Sequence, residues 1–286
     1  MKRYLILLTL TCILLFGSAC SQSNTTELKI ATTIYPIHYL VNELFPNENT
    51  ISIYPDGADI KNYTLTEKRI EDYSANDLFI YNGLSNELNI AKDLINANKN
   101  LKVIDVSYGL KLNYGLEELW LSPNYYLMLA TNIKNNLKNL SDNKYFVEEI
   151  EKNYKVLEEN LSIMDANLRE IAKDSFNLNR NTIVASSSLF KYLQNYGFQV
   201  IALDDDTINL NEIKENFKNG IYTTLFMKSS EEKTDLIRNL EQEYKAKVVS
   251  VNTMETITKE EKENNDTYFH IMENYFENIR KATLGE

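Results

Sequence analysis

Residues 147–171, VEEIEKNYKVLEENLSIMDANLREI, decide the fold of this chain. Apolar side chains recur there at alternating spacings of three and four residues, and charged side chains fill most of the positions between them. The apolar stripe consists of Val147, Ile150, Tyr154, Leu157, Leu161, Met164, Leu168 and Ile171. This period predicts one amphipathic helix of about 30 residues, which is about 45 Å long at 1.5 Å per residue.

On both sides of this helix, short runs rich in β-branched residues alternate with longer helical patterns, which after the helix are residues 189–196, 210–218 and 231–244. The candidate strands are residues 28–33, 50–54, 78–82 and 101–106 before the helix, and 182–186, 199–203, 223–227 and 247–251 after it. Strands separated by helices form parallel sheets that are covered on both faces. We therefore predict an α/β fold of two lobes, each a roughly four-stranded parallel sheet flanked by helices, bridged by one long α-helix.

The predicted boundaries follow from these patterns: an N-terminal lobe at 28–142, a bridging helix at 143–174 and a C-terminal lobe at 175–286. A coiled-coil dimer is the alternative for the helix, because its stripe is narrow and heptad-like. The stripe lasts only about four heptads between two α/β patterns, which favours a strut within one chain, so we expect a monomer. In open α/β sheets, ligands bind outside the carboxyl ends of the strands, and the cleft between the lobes is the predicted site.

The composition excludes several classes of protein. The chain has 286 residues, of which 43% are hydrophobic, so whole-chain disorder is excluded. Its net charge of −11 argues against binding to nucleic acid or to an anionic membrane surface, which requires a basic face. With two histidines and two cysteines, neither a histidine-rich metal site nor a disulfide scaffold is available.

The N-terminus is typical of an export signal with a lipid anchor. Lys2 and Arg3 precede an uncharged, largely apolar run at 4–16, and small residues lead to Cys20. We predict a signal peptide at 1–19, acylation of Cys20 and a tether at 20–27, with a plain cleaved signal as the alternative. The protein is then held by its lipid at the extracellular face of the bacterial cell membrane.

The chain after residue 27 resembles the metal-binding substrate-binding lipoproteins of bacterial zinc and manganese ABC transporters. The matching blocks, in the order of that family, are 28–36 (LKIATTIYP), 57–59 (GAD) with Tyr63, 77–83 (DLFIYNG), 119–123 (LWLSP), 190–192 (FKY) with Tyr196 and Gly197, 225–230 (LFMKSS), and Thr267 and Tyr268 with Ile271, Met272 and Asn274. The resemblance implies the predicted fold, a divalent metal ion as cargo, an ABC permease and its ATPase as partners, and no enzymatic activity.

The resemblance also implies four metal-ligand positions, and this sequence departs from the family at most of them. They correspond to Lys61, Glu118 and Ser187, with Glu255 or Asn252 as the fourth. A lysine ammonium has no lone pair to donate, and serine is a weak neutral ligand. Only Glu118 and Glu255 could hold a cation, and carboxylates favour hard ions over zinc. We expect the zinc site to be dismantled and Lys61 to pair with Glu118 or Glu255.

The other candidate groups are better explained by structural roles. His38 and His270 are not spaced as a chelating pair, and we expect both to lie on a helix surface or in the core. The acidic run 204–206 and the serine run 186–188 each follow a predicted strand, which is typical of turns and helix caps. The favoured function is therefore the substrate-binding component of a metal-ion importer with altered or lost metal ligation. The alternative is an adhesin-like surface lipoprotein that keeps the scaffold without binding metal.

Overall fold

The structure, a computed structural model, describes residues 28–46 and 49–285. The predicted signal peptide, the tether and Cys20 lie outside the described residues. Within them, no helix combines the length and apolar character that a membrane crossing requires.

The N-terminal lobe is a four-stranded parallel sheet with strand order β2-β1-β3-β4. Its helices lie between consecutive strands, which is the connection that parallel pairing requires. The elements are β1 (Ile30–Thr32), α1 (Tyr35–Leu44), β2 (Thr50–Ser52), α2 (Glu67–Ser74), β3 (Leu78–Tyr81), α3 (Glu87–Ala97) and β4 (Lys102–Asp105).

Three helices follow this lobe: α4 (Glu118–Leu121), α5 (Pro123–Lys138) and the long helix α6 (Lys144–Asn177). The predicted apolar stripe of α6 is buried from Ile150 to Ile171, whereas Val156 and Ile163 on the other face are 55% and 54% exposed. One hydrophobic core runs from the N-terminal sheet through α6 into the C-terminal lobe, where a second, smaller cluster packs around Val184 and Leu225. The helix is therefore a strut within one chain.

The C-terminal lobe repeats the architecture, with strand order β6-β5-β7-β8 and parallel pairing throughout. Its elements are β5 (Thr182–Ala185), a 3-10 helix (Ser188–Tyr196), β6 (Gln199–Ala202), α7 (Leu210–Lys218), β7 (Thr224–Lys228), α8 (Asp235–Glu243), β8 (Lys247–Val251), α9 (Lys259–Glu263) and α10 (Tyr268–Leu284). The predicted fold class is confirmed.

Two predicted helices differ from those observed. The segment predicted as helical at 189–196 is a 3-10 helix, in which side chains three residues apart lie on one face. Its buried side chains have that spacing, with Phe190, Leu193 and Tyr196 in one row. The helix predicted at 231–244 begins only at Asp235, because Thr234 caps it by accepting a hydrogen bond from the Ile237 amide.

Candidate functional site

A cleft of about 880 Å³ separates the two lobes on the side of the carboxyl ends of the strands. The N-terminal lobe contributes Tyr54, Lys61 and Glu117 to its wall, and the C-terminal lobe contributes Lys228 and Glu255. This volume is within the usual range of about 300–1,000 Å³ for small-molecule sites. The cleft lies where the two-lobed topology predicts a ligand.

An ion pair crosses the cleft. Lys228 is the last residue of β7, and its Nζ lies 3.0 Å from Oε1 of Glu117 in the other lobe. The same Nζ lies 3.4 Å from Oε1 of Glu231, whose Oε2 accepts a hydrogen bond of 2.8 Å from the Ser186 hydroxyl. Burial by itself lowers the pKa of Lys228, but the carboxylates of Glu117 and Glu231 outweigh it and raise that pKa. The ammonium therefore stays charged.

Glu255 and Lys61 lie near this pair without joining it. Burial and the neighbouring Glu117 carboxylate raise the pKa of Glu255, against the opposing effect of Lys61 and Lys228. Lys61 is exposed, and its amide donates a hydrogen bond of 3.1 Å to Oδ1 of Asp59. In the part of the chain that the structure describes, Lys61 forms no ion pair with Glu255 or with any other carboxylate. The expected pairing of Lys61 is therefore wrong, and Lys228 supplies the paired ammonium instead.

Glu118, the second predicted cation ligand, does not line the cleft. It is the first residue of α4 and is fully buried, and its Oε1 accepts a hydrogen bond from the amide of Asn113. Its Oε2 is buried without a hydrogen-bond partner, and burial raises the pKa of this carboxyl. Adjacent residues at a helix start point about 100° apart, so Glu117 faces the cleft and Glu118 faces the interior.

Ser187 and Asn252 are the other two ligand positions that the family resemblance implies. Ser187 precedes the 3-10 helix, and its hydroxyl is buried without a hydrogen-bond partner. Asn252 accepts a hydrogen bond of 2.8 Å from the Met254 amide and donates one to Glu261. Asn252 shares a neighbouring cavity of about 730 Å³ with Lys61 and Glu255, but only the latter two also line the interlobe cleft.

The loop that carries Glu255 is fastened to the opposite lobe. The Trp120 indole N–H donates a hydrogen bond of 2.6 Å to the Thr253 carbonyl, and the Tyr35 amide donates one of 3.1 Å to the Glu255 carbonyl. Met254, between these two acceptors, is buried in left-handed backbone with φ of 56°. Such a conformation is costly for a residue other than glycine and persists only when its surroundings impose it.

His38 is a neutral structural histidine. The Thr32 hydroxyl donates its hydrogen to the Ile51 carbonyl, so it accepts from Nδ1 of His38 at 2.9 Å. Nε2 of His38 then accepts from the Asn42 amide at 3.0 Å, and burial lowers the pKa of the imidazole. His270 contacts Oδ1 of Asp266 through Nδ1 at 2.6 Å on the exposed side of α10.

The acidic run after β6 caps the neighbouring segment. Both Asp204 carboxylate oxygens accept hydrogen bonds from Ser188, one from its amide and one from its hydroxyl. Asp205 forms an ion pair of 2.7 Å with Lys191, which lowers the pKa of that carboxyl. Across residues 28–46 and 49–285, no three His, Cys, Asp or Glu side chains converge well enough to hold a metal ion.

The sequence and the fold have recognisable relatives. Residues 30–282 match the model of the family described as ZnuA, zinc-uptake complex component A, periplasmic. The chain belongs to this family. The resemblance that its sequence blocks indicate is confirmed.

One curated relative is the zinc-binding lipoprotein AdcA of Streptococcus pneumoniae, 23% identical over 318 aligned positions that cover all of this chain and 62% of that protein. The chain thus spans about three-fifths of its length. The Zn(II)-bound ZnuA-like domain of AdcA superposes with a TM-score of 0.72 and 22% identity, covering 90% of this chain and 98% of that one.

Two further solved structures share the fold. The metal-dependent lipoprotein YcdH of Bacillus subtilis has a TM-score of 0.74 and 21% identity over 90% of this chain and 99% of that one. The second is the laminin-binding protein Lmb of Streptococcus agalactiae, which is described as a bifunctional protein with adhesin and metal transporting activity. It has a TM-score of 0.68 and 19% identity over 90% of this chain and 99% of that one. At these identities the structures establish the shared fold alone.

Proposed function

We propose that this chain is the substrate-binding component of a metal-ion ABC importer in which the inherited metal ligands have been replaced. The carrying observation is the Lys228–Glu117 ion pair inside the interlobe cleft of a ZnuA-family fold. A cleft that contains a paired lysine and no histidine among its lining residues suits zinc poorly, because zinc prefers nitrogen and sulfur ligands. Altered or lost metal ligation follows.

Within this proposal, Glu255 could meet a cargo ion, since it lines the cleft and, unlike Glu117, forms no ion pair in the described part of the chain. Glu118 would reach the cleft only after its contact with Asn113 is broken. Carboxylate ligands favour calcium or manganese over zinc. Acylated Cys20 would hold the protein at the extracellular face of the cell membrane, beside a permease and its ATPase.

The test is to purify the protein from membranes in mild detergent, identify what copurifies, and measure its metal content after exposure to zinc, manganese, iron and calcium. We expect an ABC permease and its ATPase to be captured, and zinc to be lost on dialysis. Stoichiometric zinc that survives dialysis would contradict the altered ligation. Failure to capture any permease would contradict the transport role.

The second candidate is an adhesin-like surface lipoprotein that binds no metal. The observation that favours it is the lack of a three-ligand metal cluster among the described residues; Lmb, which shares the fold, is described as both an adhesin and a metal transporter. Binding of the purified protein to immobilised laminin and other matrix proteins tests it. Saturable binding together with no captured permease would favour the adhesin over the importer.

A further inference from the structure

The ammonium of Lys228 has the position of a bound cation. Its Nζ lies within 3.4 Å of one carboxylate from each lobe, Glu117 and Glu231, and the pair with Glu117 is the shorter at 3.0 Å. The side chains of Lys228 and Glu117 are only 14% and 10% exposed, so bulk water screens their attraction weakly. The positive charge of Lys228 attracts carboxylates of both lobes, as a cargo cation bound between the lobes would.

Three carboxylates and a second ammonium group lie around Lys228. Glu117, Glu231 and Glu255 are the carboxylates that interact with Lys228. Lys61 adds a second positive charge close to Glu255. A divalent ion that enters this space meets two ammonium groups. Lys228 repels it more strongly, because Lys228 is mostly buried whereas Lys61 is exposed.

We propose that Lys228 is the specificity-determining residue of the cleft: its ammonium replaces the cargo cation, holds the lobes closed without metal and excludes divalent ions. This inference rests on the proposed function for the same cleft. It assigns the exclusion to a residue outside the inherited ligand positions, so restoring ligands at Lys61 or Ser187 alone would leave the cleft blocked.

Removal of the Lys228 ammonium should leave a pair of carboxylates that can bind a hard cation. Glu117 and Glu231 both lie within 3.4 Å of the one nitrogen atom, so their carboxylates are close enough to share an ion after it is gone. Oxygen-rich sites of this kind bind hard cations such as calcium and manganese.

The test compares Lys228→Met, which removes the charge and keeps most of the length of the side chain, with Lys233→Met as the matched control. Lys233 pairs with Glu241 at 2.7 Å within the C-terminal lobe, so its loss does not touch the cleft. Titration calorimetry with MnCl₂ and CaCl₂ measures affinity, and small-angle scattering measures the radius of gyration. Lys228→Arg keeps the charge and should behave as the wild type.

We expect Lys228→Met to bind Mn²⁺ at least about tenfold more tightly than the wild type, to be less compact without metal and to contract when Mn²⁺ is added. The wild type, the control and Lys228→Arg should show no contraction. Equal affinities of wild type and Lys228→Met, or equal compactness without metal, would overturn the proposal.

If Lys228→Met does not fold, Glu117→Gln tests the bridge from the other lobe. It should loosen the closed form without creating a Mn²⁺ site, because one carboxylate is lost with the bridge. An unchanged radius of gyration in Glu117→Gln would overturn the proposal as well. Permease capture tests the transport role, whereas calorimetry and scattering test the role of Lys228. The two proposals can therefore fail independently.

Discussion

The indole Nε1–H of Trp120, in α4, donates a hydrogen bond of 2.6 Å to the carbonyl oxygen of Thr253, in the opposite lobe. Both residues are buried, at 0% and 3% exposure. A buried carbonyl that loses its only donor pays the full desolvation penalty, because no water replaces the missing hydrogen bond. The contact therefore stabilises the packing of the two lobes against each other.

Trp120→Phe should lower the free energy of unfolding by about 1–3 kcal/mol through this unsatisfied carbonyl alone. Chemical denaturation measures the loss. Tyr114→Phe is the control: its hydroxyl also reaches the other lobe, at 3.4 Å from Oε1 of Gln194, but it is partly exposed and water can take its place. Equal effects of the two substitutions would show that the indole hydrogen bond is not special.

Truncation of the buried stripe of α6 should destabilise the protein. Leu157 and Leu161 are each 1% exposed. Leu157→Ala or Leu161→Ala should lower the free energy of unfolding by about 2–5 kcal/mol, since each leaves a cavity in the core. Val156→Ala and Ile163→Ala, on the exposed face of the same helix, should change it by less than about 0.5 kcal/mol. A uniform response along the helix would contradict the strut.

The carboxyl of Glu87 should make stability depend on pH. Glu87 lines the cleft at 3% exposure, and burial raises its pKa from 4.5 to about 7, although the Asn82 amide donates to it. The folded protein therefore holds a proton that the unfolded chain releases between these values. The free energy of unfolding contributed by this group falls as the pH rises from 4.5 to 7, by about 3 kcal/mol in total.

Glu87→Gln should remove this dependence while keeping an oxygen for the Asn82 amide. Urea denaturation of variant and wild type at several values between pH 5 and 8, about the interval in which the group titrates, measures both slopes. We expect Glu87→Gln to have the higher free energy of unfolding near the upper limit of this pH range. Near the lower limit, the free energies of unfolding of variant and wild type should become equal. Parallel curves would show that Glu87 is ionised in the folded protein.

Cys20→Ala should block acylation, because the thiol accepts the lipid and no other group after the signal can replace it. The mutant precursor should stall or be released from the membrane. Cys12→Ala, within the predicted signal run, is the matched control and should be processed normally. Membrane fractionation with radiolabelled palmitate measures both, and a normally processed, membrane-bound Cys20→Ala protein would contradict the anchor.

The sequence was most informative where structure depends on near neighbours along the chain. The stripe of α6 and the strands of both sheets follow from periods of 3.6 and 2 residues, which a local pattern carries. The same logic missed the 3-10 conformation of Ser188–Tyr196, since side chains buried at a spacing of three also fit an α-helical pattern over two turns.

The cleft depends on contacts between residues that are far apart in sequence. Lys228 is a charged residue at the carboxyl end of a buried strand, and this position can be recognised in the sequence. The neighbouring residues do not indicate, however, that Lys228 rather than Lys61 pairs with a carboxylate. Its partner, Glu117, is 111 residues away. Which of Glu117 and Glu118 faces the cleft depends on the rotation of α4 about its axis, set by the packing of Trp120.

The sequence by itself therefore determined the two lobes and the strut, because hydrophobic periodicity needs no coordinates. Only the tertiary structure decided which lysine pairs with carboxylates in the cleft. Electrostatic attraction depends on the distance and burial of Lys228, Glu117 and Glu231, and those quantities arise only when the two lobes pack together.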